Sequence, residues 1–209
     1  EFINGRPNDN IGITLFAGET FTQCPLTVDH AVLLDMIHNI KCGLITDGTA
    51  VGMGIANAVT RLKDSKAKSK VIILLTDGTN NKGDISPMTA AEIAKSFGIR
   101  VYTIGVGTNG MAPYPYPVGN TVQYVSMPVE IDEKTLTEIA GTTDGNYFRA
   151  TSNSKLKEVY EEIDKLEKTK LNVKEYSKRD EEYHWFALAA FLCVLLEVLL
   201  RNSVLKKIP

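Results

Sequence analysis

The stretch from Val71 to Asn81 reads Val-Ile-Ile-Leu-Leu-Thr-Asp-Gly-Thr-Asn-Asn, and it decides the fold. Its opening run of apolar residues is typical of a strand buried on both faces, as in the middle of a parallel sheet. The run stops at Asp77-Gly78. A carboxylate at the carboxyl end of a central parallel strand lies where open α/β sheets bind their ligands. Taken alone, Asp77 is equally well explained as a turn residue before glycine.

Strand and helix patterns alternate on both sides of this stretch. The alternation predicts a doubly wound, mostly parallel α/β sheet. Further strands are expected at Ile11–Phe16, Phe21–Leu26, Val101–Val106 and Tyr147–Ala150. Helices are expected after caps at Thr27 and Asp132, after Thr49, behind the capping-box pattern Thr89-Ala-Ala-Glu92, and over Leu156–Leu166.

A second loop, Asp47-Gly48-Thr49, precedes one of these helices. The Thr49 hydroxyl and the Asp77 carboxylate together suit a hard cation such as magnesium, which takes oxygen ligands and keeps several waters. We therefore expect Thr49 and Asp77 to meet at the carboxyl edge of the sheet.

Composition excludes some function classes. The formal net charge of -2 argues against a nucleic-acid binder, which normally carries a basic patch. Cys24, Cys42 and Cys193 show no paired spacing, so buried free thiols are favoured over a disulfide between Cys24 and Cys42.

The carboxyl-terminal end differs from the rest. Residues 185–200 are apolar except for Glu197, and their helical length of about 24 Å is slightly short of a hydrocarbon core of roughly 30 Å. Aromatic residues at one border and basic residues at the other favour a transmembrane helix over a buried amphipathic one. The sequence thus divides into a domain (1–167), a charged juxtamembrane linker (168–184), a transmembrane helix (185–200) and a basic tail (201–209).

Residues 107–131 interrupt the alternation. They contain Pro113-Tyr-Pro-Tyr-Pro117 and are too long for an ordinary strand-to-helix loop. Tyr114 and Tyr116 are candidate partner-binding residues, and packing over their own domain is the alternative.

Three motifs carry a family resemblance: Asp47-Gly-Thr-Ala-Val-Gly-Met-Gly, Leu-Leu-Thr-Asp77-Gly, and Val-Tyr-Thr-Ile-Gly-Val-Gly107. They resemble a von Willebrand factor type A domain, and further segments are similar to the Bat proteins of the bacterial aerotolerance operon, most of all to their BatA branch. The resemblance implies a metal-ion-dependent adhesion site in which Thr49 and Asp77 are ligands for Mg²⁺ or another divalent cation. The Asp-x-Ser-x-Ser motif that supplies the other ligands is not in this sequence.

In the family, the strand carrying that motif lies between the Ile11 strand and the Val71 strand. Because the chain begins at Glu1 without that strand, we expect it to be the carboxyl-terminal part of a longer protein. Its metal site is then incomplete, and the 209 residues alone are expected to be poorly stable and to bind metal weakly.

The predicted function is a membrane-anchored interaction module that binds a partner carboxylate through the metal. The resemblance implies Bat or other envelope proteins as partners and a role in envelope stress or oxygen tolerance. The alternatives are a metal-independent scaffold and, least favoured, a nucleotide- or metal-dependent enzyme, for which Gly52-Met-Gly54 is a weak phosphate-turn match.

The side of the membrane that holds the domain is open. Six Lys or Arg residues lie in 165–184 against three after Leu200, which favours a cytoplasmic domain. The resemblance implies a periplasmic domain at the bacterial inner membrane, and this is the expectation we adopt.

Overall fold

The computed structural model describes residues 2–41, 43, 45–107, 110–118, 121–129, 131–177 and 183–203. Two compact units divide the chain, residues 1–168 and residues 169–209. The elements in chain order are β1 (Ile11–Phe16), β2 (Thr20–Thr27), α1 (His30–His38), α2 (Val51–Leu62), β3 (Lys70–Thr76), α3 (Pro87–Ser96), β4 (Ile99–Val106), β5 (Gly110–Val118), β6 (Thr121–Val129), α4 (Glu133–Thr142), β7 (Tyr147–Ala150), α5 (Asn153–Ser177) and α6 (Tyr183–Ser203).

The central sheet has the order β3-β4-β7, and both of its pairings are parallel. Apolar residues cover both faces of β3, because Ile72 and Leu74 join the core under α2, α3 and α4, whereas Ile73 and Leu75 pack against the cluster that includes α5. This arrangement explains the continuous apolar run at 71–75. The prediction of a mostly parallel α/β fold is confirmed.

Strands β1 and β2 form a separate antiparallel sheet. Strand β1 is not paired with β3 in the described part of the chain, although both strands contact α2. The break between the two sheets falls where the family resemblance places a further strand.

Two glycines let α2 lie close to its neighbours. A Cβ at Gly52 would stand 2.0 Å from the carbonyl oxygen of Ile85, and a Cβ at Gly54 would stand 2.9 Å from the ring of Phe16. This close packing fixes the start of α2 beside β1 and the loop before α3.

A buried polar cluster ties α5 to the start of the central strands. Glu167 is 3% exposed. Its carboxylate accepts hydrogen bonds from Ser69 Oγ at 2.9 Å, from Tyr102 Oη at 2.6 Å and from Arg100 Nη1. Burial, and then the hydrogen bond to Glu167, raise the pKa of Tyr102 well above its ordinary value.

Three helix caps were predicted and one is confirmed. Asp132 caps α4, since its carboxylate accepts from the backbone N–H of Thr135 at 3.0 Å. The cap predicted at Thr27 is wrong, because Asp29 caps α1. The capping box predicted at Thr89 is also wrong: α3 begins three residues earlier, and Ser86 accepts from the Thr89 N–H at 3.1 Å with Pro87 in the first turn.

Residues 107–131, which interrupt the predicted alternation of strands and helices, contain an antiparallel hairpin. Strands β5 and β6 pair from Gly110↔Val129 to Val118↔Thr121. The prolines weakened the strand signal, because proline cannot donate to a ladder and is confined to strand edges.

Helix α5 continues to Ser177, so the first part of the charged segment at 168–184 is a helical extension of the domain's last helix. Residues 185–200 are helical within α6, but among the residues described no helix combines the length and the apolar character that a bilayer crossing requires. The predicted transmembrane helix is therefore unsupported. Cys193 in α6 is an exposed free thiol, in contrast to the buried thiol of Cys24, and Cys42 lies outside the described residues.

Candidate functional site

Thr49 and Asp77 lie at the same rim of the domain. A Cβ placed on Gly78, the residue directly after Asp77, would stand 3.1 Å from Thr49 Oγ1. The loop before α2 therefore meets the loop after β3, as the sequence predicted. Any side chain at position 78 would press on the Thr49 hydroxyl, so Gly78 leaves that hydroxyl its space.

Two asparagines, to which the sequence analysis gave no role, join these loops. The backbone N–H of Thr49 donates to Asn81 Oδ1 at 2.8 Å, and the Thr49 carbonyl accepts from the Asn81 N–H at 3.0 Å. In the first turn of α2, the N–H of Gly52 donates to Asn80 Oδ1 at 3.4 Å. Because these bonds hold Thr49 through its backbone, its hydroxyl is not needed for the loop contact.

The end of β1 joins the same rim. The N–H of Gly18 donates to the Thr46 carbonyl at 2.7 Å, and the N–H of Ala50 donates to the Ala17 carbonyl at 2.7 Å. Gly48 adopts φ +141°, and a Cβ there would stand 2.5 Å from Lys82 Cγ. Loops from β1, α2 and β3 thus converge at one place, where glycine is required for both conformation and space.

The oxygen ligands at the rim are of the type that a hard cation binds, but there are too few of them to form a complete site. Asp77 and Thr49 offer a carboxylate and a hydroxyl oxygen, and magnesium prefers such ligands. Within the described residues, no group of three or more His, Cys, Asp or Glu side chains is arranged to hold a metal ion. The two predicted ligands fit a site that takes further oxygen ligands from elsewhere.

The hairpin starts from the same edge of the sheet as Asp77. Strand β4 ends at Val106 beside the end of β3, with Thr76 opposite Gly105, and β5 begins at Gly110. On β5, Tyr114 is paired with Val125 and Tyr116 with Gln123. On β6, Tyr124 is 73% exposed. The exposed Tyr124 thus lies on the strand paired with β5, which carries the candidate partner-binding residues Tyr114 and Tyr116.

The weak phosphate-turn match is a feature of helix packing. Gly52 and Gly54 lie inside α2, and their missing Cβ atoms make room for Ile85 and Phe16. The two glycines therefore do not form a loop between a strand and a helix, which a phosphate-binding turn of that type requires.

The comparisons with known proteins agree on one family. Residues 1–162 match the von Willebrand factor type A domain. The fold is similar to that of the conserved hypothetical protein BatB from Bacteroides thetaiotaomicron, with a TM-score of 0.68 and 33% identity over 80% of this chain and 83% of that chain. It is also similar to an aerotolerance-related membrane protein from Bacteroides fragilis, with a TM-score of 0.67 and 29% identity over 78% of this chain and 81% of that chain.

A third similar structure is described with a bound metal. It is proximal thread matrix protein 1 from the mussel byssus, described with a zinc-occupied MIDAS motif, with a TM-score of 0.58 and 26% identity over 78% of this chain and 37% of that chain. The chain spans 61% and 53% of the length of two curated bacterial relatives that it matches. The Bat-like resemblance is confirmed, whereas the closer likeness of the motifs to the BatA branch stays a prediction.

Proposed function

This chain belongs to the von Willebrand factor type A family, and we propose that it is a membrane-associated protein-interaction module. In this proposal, Thr49 and Asp77 hold a divalent cation that a carboxylate of a partner protein completes. The observation that carries it is the approach of Thr49 Oγ1 to within 3.1 Å of the Cβ position at Gly78, which brings the two predicted ligands to one rim.

The protein's own residues have separable roles in this proposal. Asp77 supplies charge, Thr49 supplies a hydroxyl oxygen, and Asn81 and Asn80 hold the two loops together. The bound cation supplies a positive charge with an open coordination position for an acidic side chain. We assign the remaining ligands to a segment placed at the break between β1 and β3. Magnesium is the expected ion, and the zinc named for the mussel relative makes zinc the first competitor to test.

We further propose that the rim binds its partner without catalysing a reaction. Residues 46–52 and 77–82 contain no histidine or cysteine, so neither loop supplies a nucleophile with an adjacent base. The site is therefore suited to reversible coordination of a partner.

The cellular setting is also a proposal. Helix α6 exposes Leu188, Phe191, Leu192, Val194, Leu196, Val198 and Leu200. An exposed apolar surface of this kind marks a contact with lipid or protein. Because a relative is named as an aerotolerance-related membrane protein, we place this protein at the bacterial inner membrane with its domain in the periplasm. Bat and other envelope proteins are the proposed partners, and envelope stress or oxygen tolerance is the proposed context. Activity of a compartment-specific reporter fused after Pro209 identifies the side on which the tail lies.

The metal proposal is tested in the full-length natural protein with two variants and matched controls. Titration calorimetry with magnesium chloride is expected to show binding that Asp77→Asn and Thr49→Ala each weaken at least tenfold. Thr49→Ser keeps the hydroxyl, and Asp84→Asn changes an exposed carboxylate farther along the same loop. Both controls are expected to bind like the wild type.

Partner capture is measured with the same variants by cross-linking in cells followed by affinity purification. Loss of the same cross-linked partners in Asp77→Asn and Thr49→Ala, but not in the controls, supports the proposal. Capture that survives both site variants contradicts it and favours a metal-independent scaffold.

A further inference from the structure

The β5–β6 hairpin has two edges with different hydrogen-bonding capacity. Three prolines, Pro113, Pro115 and Pro117, alternate along β5 opposite Ser126, Tyr124 and Val122. In an antiparallel pair, facing residues alternate between those that exchange backbone hydrogen bonds and those that do not. Because proline has no N–H, these three pairs do not exchange backbone hydrogen bonds. The backbone groups of their residues therefore point away from the partner strand.

The same parity assigns the outward groups of both strands. On β5 the outward positions are Met111 and the three prolines, so that edge presents a single N–H donor. On β6 the outward positions are Val122, Tyr124, Ser126 and Pro128, so that edge presents three N–H donors. The edge of β5 is blocked against strand addition, whereas the edge of β6 is open to it.

The open edge also lacks the usual charged protection. The two strands, GMAPYPYPV and TVQYVSMPV, contain no charged residue. Charged residues make up 23% of the chain, so eighteen residues of average composition would include about four. Proteins normally protect an exposed edge with lysine, proline or inward charges. In this hairpin only the edge of β5 is protected, and the described residues of the two strands contact mainly each other. These two observations point to a strand partner for β6.

We propose that β6 pairs antiparallel with β6 of a second copy of this chain. The absence of charge favours this occupant, because a two-fold axis places the same strand on both sides and any charge near the axis would face its like. With Tyr124 opposite itself, Val122 faces Ser126 of the other copy, and the three outward positions form about six backbone hydrogen bonds.

The first test compares two substitutions at one position in the full-length natural protein, in mild detergent. Sedimentation velocity of the wild type is expected to show a dimer. Ser126→Pro removes an outward N–H and leaves the bonds within the hairpin, so it is expected to weaken the dimer at least tenfold. Ser126→Ala keeps the N–H and is expected to leave the dimer unchanged. A monomeric wild type, or a dimer that Ser126→Pro leaves intact, overturns the proposal.

The second test remains informative if proline disturbs the hairpin. Tyr124→Cys is made with Cys42 and Cys193 replaced by serine. Facing residues of a hydrogen-bonded pair have Cα atoms about 5.5 Å apart, within the range that a disulfide spans. Mild oxidation is expected to give a covalent dimer with Tyr124→Cys and much less with Gln123→Cys. Equal cross-linking of the two variants overturns the register. Because the dimer does not involve Thr49 or Asp77, a metal chelator is expected to leave it intact.

Discussion

Glu167→Ala tests whether the buried polar cluster anchors α5 to the sheet. The substitution removes the acceptor for Ser69, Tyr102 and Arg100, and it leaves a largely buried guanidinium without its counter-charge. Deleting one partner of a buried ion pair costs about 3–5 kcal/mol. Because a typical domain is stable by only about 5–15 kcal/mol, we expect a large loss in the free energy of unfolding, about 4 kcal/mol.

Urea denaturation of the full-length natural protein, followed by far-ultraviolet circular dichroism, measures this loss. Glu167→Gln keeps the shape and a carbonyl acceptor but removes the charge, so a loss of about half that size is expected. Glu161→Ala changes an exposed residue of the same helix and is expected to alter stability by less than about 0.5 kcal/mol. If Glu167→Ala were no more destabilising than Glu161→Ala, the cluster would not anchor α5.

The same carboxylate gives the protein a defined acid sensitivity. Burial alone would raise the pKa of Glu167, but hydrogen bonds from Tyr102, Ser69 and Arg100 and the charge of Arg100 outweigh burial and hold the pKa below its ordinary value of 4.5. Glu167 therefore contributes its full stability above pH 4.5, and this contribution is lost as the pH falls through the folded-state pKa. The stability difference between wild type and Glu167→Gln is expected to be constant from pH 6 to 7 and to shrink below pH 4.5. A difference that did not change with acidification would contradict this assignment.

Three further predictions concern packing, capping and metal binding. Gly52→Ala places a methyl group 2.0 Å from a backbone oxygen and is expected to lower stability by about 1–3 kcal/mol. In contrast, the methyl group of Gly141→Ala in α4 meets no atom within 4 Å, and this substitution is expected to raise stability by about 0.5–1 kcal/mol. Urea denaturation measures both changes. Asp29→Ala removes an acceptor for two backbone N–H groups and is expected to cost about 1 kcal/mol in the same assay; no change would show that α1 does not depend on this cap. The 209-residue chain alone, with Thr49 and Asp77 as its rim ligands, is expected to bind magnesium weakly in a calorimetric titration, and tight binding would refute the incomplete-site expectation.

The central strand and the rim were predictable because their signals are local. The apolar run at 71–75 requires burial on both faces, and the parallel topology that follows brings the ends of neighbouring strands to one edge. Thr49 and Asp77 are far apart in sequence, but each lies within two residues of an element whose position the topology sets. The sequence therefore predicted their approach without any knowledge of side-chain contacts.

Capping errors show where local reasoning becomes ambiguous. Before α1 the chain offers both Thr27 and Asp29, and before α3 it offers both Ser86 and Thr89. Each pair contains two good capping side chains within three residues, so propensity alone does not separate them. In the second case Pro87 was the deciding signal, since proline favours the first turn of a helix and Ser86 directly precedes it.

The hairpin escaped prediction because its evidence lies in pairing. Alternating prolines argue against a central strand, and read singly they favour a loop. Only the register opposite β6 shows that Pro113, Pro115 and Pro117 all occupy positions where an N–H is not needed. A proline at every second residue is thus compatible with one edge of a two-stranded hairpin, and this alternate spacing is itself the sequence signal of such an edge.

The asparagines bear on how an incomplete metal site would behave. Asn81 binds both the N–H and the carbonyl of Thr49, and Asn80 binds the start of α2, so the two loops are joined by neutral hydrogen bonds that need no cation. Repulsion between bare metal ligands does not oppose these bonds, because Thr49 is uncharged. In the proposed site, the rim is therefore already assembled before the cation arrives. Weak binding by this chain would then reflect the number of oxygen ligands, and supplying the missing ligands would raise affinity without any rearrangement of Thr49.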